Sequence, residues 1–92
     1  MEVRFVKDPD TELPHIARHG VSELEVLQVL DSWPTLMLGR DNAIIALGRT
    51  TAGRYLKVIY RRIEDGILVI TAYDLRGKEL KAYRRRIRHR PR

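Results

Sequence analysis

Between residues 55 and 73 two strand-like runs flank a single break, Asp65-Gly66, and this break constrains the fold more than any other feature of the chain. In residues 55–63, Leu56, Val58 and Tyr60 fall on one side of an extended chain and Lys57, Ile59 and Arg61 on the other, because strand side chains alternate. Residues 67–73 are more continuously apolar. Asp-Gly between two such runs is a strong hairpin signal, so the pattern predicts two antiparallel strands joined by a tight turn.

After Leu75 the period changes. Leu80, Tyr83 and Ile87 recur at spacings of three and four, the mark of a helix with one apolar stripe against the body. The rest of that helix is cationic, with Lys78, Lys81, Arg84, Arg85, Arg86 and Arg88. Residues 76–92 carry nine Lys or Arg against one acid, Glu79, a local charge of +8, whereas residues 1–75 sum to −2. The chain's +6 is therefore a local field. A basic stripe on one helix is the electrostatic footprint of a nucleic-acid partner, since each neutralised phosphate releases counterions. A solvated tail, or a surface met by an acidic protein, has the same composition.

Upstream, Val3, Phe5 and Val6 suggest a short strand stopped by Asp8-Pro9. A short helix is expected next, with Asp10 or Thr11 as cap and Pro14 in its first turn, running through His15, Ile16, Arg18 and His19 to a left-handed end at Gly20. Ser22 and Glu25 have the spacing of a capping box, and Val21 and Val26 that of a hydrophobic staple, so a second helix should start at Ser22. Its expected inner face is Leu24, Leu27 and Leu30, widened by Val26 and Val29, and Trp33-Pro34 ends it. Residues 35–38 form a strand before a turn at 39–42, and residues 43–47 are a continuous apolar run suited to a strand covered on both faces.

The expected architecture is a single α+β domain spanning residues 1–92, with a mostly antiparallel sheet of about four strands, two N-terminal helices and one basic C-terminal helix. The absence of cysteine excludes disulfides, thiolate metal sites and a cysteine nucleophile. Without an apolar leader or a membrane-length apolar run, the expected location is the cytoplasm, with no membrane partner.

Candidate sites are few. His15 and His19 are one helical turn apart, as two metal ligands can be, but Ile16 stands where an HExxH motif needs Glu, so no metal is expected. His19 can instead cap the helix end or take a catalytic role. The segment 48–54, with glycines at 48 and 53 and arginines at 49 and 54, can cradle a phosphate or be a plain hairpin loop, and it is not a Walker loop. As a loop residue, Arg54 is expected to support no core. Arginine, lysine, tyrosine and histidine near strand ends suit RNA cleavage without a metal or other cofactor. In that chemistry the RNA's own 2′-hydroxyl attacks the adjacent phosphate, and the protein positions the strand, moves a proton and stabilises added negative charge. The same residues suit a protein that binds nucleic acid and cuts nothing.

Taken in order, Arg18-His19-Gly20-Val21 before an acidic capped helix, Gly48-Arg49-Thr50, Gly53-Arg54-x-Leu56-x-Val58-x-Tyr60, Ile70-x-Ala72 and a helix bearing Glu79 and Tyr83 resemble the BrnT family of toxins. The likeness spans about residue 5 to residue 86. It implies a RelE-like fold, in the RelE/ParE-like type II toxin-antitoxin superfamily, and a metal-independent endoribonuclease that inhibits translation. It also implies a small ribbon-helix-helix antitoxin of the BrnA kind, RNA or the ribosome as target, and operator DNA reached only through the antitoxin complex.

Carried over by position, the family's basic residue and histidine fall on Arg18 and His19, its loop arginines on Arg49 and Arg54, and its strand tyrosine on Tyr60. Where the family reads Ser-Ala-Arg, this chain has Thr71-Ala72-Tyr73, so an arginine expected at the scissile phosphate is replaced by Tyr73, or by Arg76 from the helix start. The expected catalytic set is thus His19, Arg49, Arg54, Tyr73 and Arg76. The expected RNA-binding set is Arg18, Tyr60, Lys78, Lys81, Tyr83, Arg84, Arg85 and Arg88. The alternative is an inactive toxin homologue that binds nucleic acid or an antitoxin.

Overall fold

The structure, a computed structural model, describes residues 1–88. Strands β1 (Glu2–Phe5), β2 (Thr35–Leu38), β3 (Ile44–Arg49), β4 (Tyr55–Ile63) and β5 (Gly66–Asp74) form one sheet in the order β1-β5-β4-β3-β2. All neighbouring pairs are antiparallel except β1 with β5, so the sheet is mixed and has five strands where about four were expected. The additional pairing is that of β1, which lies parallel to β5 at the sheet edge rather than beside its sequence neighbour β2.

The β4–β5 hairpin forms as expected, but its glycine has a different reason. Glu64 and Asp65 make the turn and Gly66 already pairs with Ile63. A Cβ on Gly66 would lie 1.8 Å from the Glu2 carbonyl oxygen, so this residue is glycine because the β1 backbone crosses there. A bulge lies between Ile59 and Tyr60, opposite residues 69–71 of β5. It switches which β5 residues face inward, so that Ile67 and Val69 before it and Ala72 after it share one core.

Helix α1 (Glu23–Leu30) begins with the capping box read from the sequence: Ser22 Oγ accepts from the Glu25 amide at 3.1 Å, and Glu25 Oε1 accepts from the Ser22 amide at 3.1 Å. Val21 and Val26, the expected staple, are both buried in the core. The inner face is Val26 and Val29, both fully buried, whereas Leu24 and Leu27 remain exposed, so the helix is turned from the expected leucine stripe. The sheet explains the rotation. A Cβ on Gly48 would come within 2.9 Å of Val29, so α1 rests directly on the β3 backbone, where small branched side chains fit.

The expected first helix is a short 3-10 turn, His15–His19, without a side-chain cap, preceded by Pro14 and ended by Gly20 in the left-handed conformation. Its shortness follows from Asp8, which holds His15 and Arg18 and ties the turn to the end of β1. Ile16 inserts into the core beside α1.

Alternation along β3 and β4 separates two apolar layers. Ala46, Leu56, Val58 and Tyr60 face α1, while Ile45, Leu47 and Tyr55 face helix α2 (Gly77–Arg88), which contributes Leu80, Tyr83 and Ile87. The strand at 43–47 is covered on both faces, as expected. The basic residues Arg90 and Arg92 lie outside the described residues.

Candidate nucleic-acid interface

Chemistry-bearing side chains gather at the end of the sheet where β5 stops and β4 starts. Tyr73 pairs across the sheet with Lys57. The Lys57 ammonium lies 5.7 Å from the Tyr73 ring centre, and the His19 and Tyr73 rings are 5.6 Å apart, tilted by 54°. Arg18, His19, Tyr73, Asp74 and Arg76 line an open cleft of about 480 Å³. Of the expected catalytic residues, the fold therefore brings together His19, Tyr73 and Arg76, with Arg18 beside them.

Lys57 was not among the candidates. Its side chain is 16% exposed and donates to Glu79 Oε2 at 3.0 Å. The Glu79 carboxylate, reinforced by Tyr73, raises the Lys57 pKa above its ordinary value, so the cation is fixed beside the phenol. Its one sequence signal is that it is the single cation in the strand half 55–60, and its place beside Tyr73 follows from the register alone.

Arg54 is a correction. It stands at the junction of three elements: its guanidinium donates to Asp74 at 2.7 and 3.2 Å, to Glu25 at 3.1 and 3.2 Å and to the Gly20 carbonyl at 2.9 Å. All three side chains are about one-quarter exposed. The Arg54 pKa is raised, chiefly by Asp74 and then by Glu25. Asp74 is lowered by Arg54 first and Arg76 second, and Glu25 by the Ser22 amide first and Arg54 second. Contrary to the expectation of a loop residue that supports nothing, it ties together the 3-10 turn, α1 and β5.

The glycine loop is likewise occupied with itself. Thr50 accepts from the Gly53 and Arg54 amides through its carbonyl and hydroxyl oxygens, and the Thr51 amide donates to Gln28 Oε1. With these amides spent, the segment is a hairpin loop and lacks the converging donors of a phosphate cradle.

Arg49 points to a different place. Its guanidinium lies 5.8 Å from the ring centre of Tyr55, as does that of Arg84, and Tyr83 meets the same ring edge-on at 6.0 Å. Tyr55, Lys81, Arg84, Arg85, Ile87 and Arg88 line a second cleft of about 390 Å³. Lys78 is exposed on the first turn of α2. Two expected RNA contacts are buried instead: Tyr60 packs under α1 and Tyr83 under α2, so neither ring is open to a base.

His15 and His19 do approach, with ring centres 5.7 Å apart, but His15 Nδ1 is engaged by Asp8 Oδ1 at 2.8 Å. Asp8 also accepts from Arg18, and these two partners, His15 first, hold its pKa below the usual carboxylate range. Among the described residues no group of three or more His, Asp or Glu is placed to hold a metal ion.

The class these features define is an α+β domain with a five-stranded mixed sheet, a helix on each face and a cationic surface at one end of the sheet. Comparison with protein-family models, curated proteins and solved structures returns no match.

Proposed function

We propose that the protein is a metal-independent endoribonuclease that acts as the toxin of a type II toxin-antitoxin pair, of the BrnT kind with a RelE-like fold. The observation that carries this reading is the contact of Tyr73 with His19 in a cleft rimmed by Arg76, with the Lys57 ammonium beside the Tyr73 ring at the back of that cleft's wall. Cleavage by the RNA's own 2′-hydroxyl needs what this cleft holds. His19 and Tyr73 are the groups able to take the 2′-hydroxyl proton and return one to the departing 5′-oxygen. Lys57 and Arg76 face the charge that builds on the phosphate oxygens. The products are a 2′,3′-cyclic phosphate and a 5′-hydroxyl. Arg54 acts by positioning: it fixes the 3-10 turn that carries His19 against the strand end that carries Tyr73.

The cationic face of α2 extends the surface available to RNA or ribosome, through Lys78, Lys81, Arg84, Arg85 and Arg88. A small ribbon-helix-helix antitoxin of the BrnA kind is the proposed regulator, and operator DNA is reached through that complex. No described helix is long and apolar enough to cross a membrane, and the proposed place of action is the cytoplasm.

Inducible expression in a bacterial host tests this reading. Growth arrest with new RNA ends, abolished by Tyr73→Phe or Lys57→Met in protein of unchanged melting temperature, is the expected result. Normal growth with intact RNA, from folded protein, opposes it.

A second reading has its own support. Tyr73 stands where the BrnT pattern has arginine, and Arg54 is held by two carboxylates. A chain so arranged can bind RNA without cutting it, and salt-sensitive binding with no cleavage under any condition distinguishes it.

A further inference from the structure

We propose that Tyr55 is a stacking platform for an unpaired nucleotide of single-stranded RNA, with Arg49 and Arg84 on the flanking phosphates. This rests on the RNA reading above and adds a binding subsite separate from the Tyr73 cleft.

The ring is held in place before any ligand arrives. Tyr83 packs against it edge-on, its residue pairs with Arg49 across the sheet, and its carbonyl accepts from the Leu75 amide at 3.0 Å. It is nevertheless only half-buried, and it floors a cleft. The guanidiniums of Arg49 and Arg84 lie over the ring, 5.8 Å from its centre, so a stacked base takes the place of one of them and that arginine turns to a flanking phosphate. Lys81, Arg84, Arg85 and Arg88 form the rim. Among the described residues no carboxylate lines this cleft, and its apolar surface comes from Tyr55 and Ile87.

A flat apolar floor under a wholly cationic rim fits a ligand with a planar body and anionic links. An unpaired nucleotide in a strand has that form, whereas carboxylates on an acidic protein would use the rim and leave the ring idle. Tyr55 and Lys57 are alternate residues on one face of β4, about 7 Å apart, so the platform adjoins the Tyr73 cleft. One strand can run over both.

Stacking and charge have separable signatures. A 2′-O-methyl RNA oligonucleotide, in which no 2′-hydroxyl can attack, is titrated by fluorescence anisotropy over a range of salt. Tyr55→Leu should weaken binding about tenfold without changing the salt slope, and Tyr55→Phe should bind as wild type. Arg84→Gln, on an exposed helix face, should instead lower the slope by about 0.7. With wild-type protein, an oligonucleotide of abasic residues should lose affinity by about the factor seen for Tyr55→Leu. Equal binding of the abasic and normal strands, or unaltered binding by folded Tyr55→Leu, overturns the platform and leaves the RNA reading standing. Absence of any binding by wild type overturns both.

Discussion

Replacing Arg54 by alanine should destabilise the end of the sheet that carries the proposed site. The substitution removes paired hydrogen bonds to Asp74, contacts to Glu25 and a bond to the Gly20 carbonyl. It also leaves two carboxylates close together with only the exposed Arg76 to offset Asp74. Exposed ion pairs contribute up to about 1 kcal/mol, and losing one partner of a buried pair costs about 3–5 kcal/mol. With all three side chains about one-quarter exposed, the intermediate figure of about 2 kcal/mol applies, after discounting for solvent screening. For a domain of this size that is roughly 8–16 °C in melting temperature.

The pH dependence fixes the cause. Asp74 and Glu25 have folded pKa values below their ordinary 3.8 and 4.5, so their contribution is complete above those values. It is lost as the pH falls through the lowered folded values. Urea unfolding of wild type and Arg54→Ala at pH 7 and near pH 3 should show a deficit that is largest at the first and reduced at the second. Equal stability at pH 7, or a deficit unchanged at low pH, refutes the ion-pair account. Arg54→Lys should recover only part of the loss, because one ammonium cannot span both carboxylates.

Other consequences are more local. Ser22→Ala removes the α1 cap and should cost about 1 kcal/mol in urea unfolding, whereas an unchanged midpoint would mean that packing alone sets the helix start. Gly66→Ala places a methyl on the Glu2 backbone, and hydrogen exchange should show β1 amides losing protection while β3 and β4 keep theirs; retained protection in β1 speaks against the close crossing. Glu79→Gln should lower the Lys57 pKa toward its ordinary value of 10.5, measurable by NMR titration of its side chain, and an unmoved pKa would discount Glu79 as the principal cause.

Much of the fold was legible because its signals are local. The Ser22 capping box, the change of period after Leu75 and the alternating run 55–63 each concern residues within a few positions of one another. What was not legible depends on residues distant in sequence. Nothing near Gly66 announces that β1 will cross it, nor does anything near Gly48 announce that Val29 will rest on it. The same limit governs the site. Of the five residues expected in the catalytic set, His19, Tyr73 and Arg76 line one cleft, Arg49 lies elsewhere, and the ties of Arg54 are invisible in the sequence because Asp74 and Glu25 are 20 and 29 positions away. Tyr60 and Tyr83 stand among the expected RNA contacts, although Tyr60 shares a strand face with Leu56 and Val58 and Tyr83 lies on the apolar stripe of its helix, and both are buried there. Lys57 and Tyr55 became prominent only once the β4 register was known.

The most direct measurement is incubation of purified protein with single-stranded RNA in excess chelator, followed by mass spectrometry of the ends. A metal-independent ribonuclease built on Tyr73, His19 and Lys57 should leave 2′,3′-cyclic phosphates and 5′-hydroxyls, with yields collapsing in Tyr73→Phe and Lys57→Met. RNA that is bound yet left whole, or cleavage that the chelator abolishes, contradicts the account.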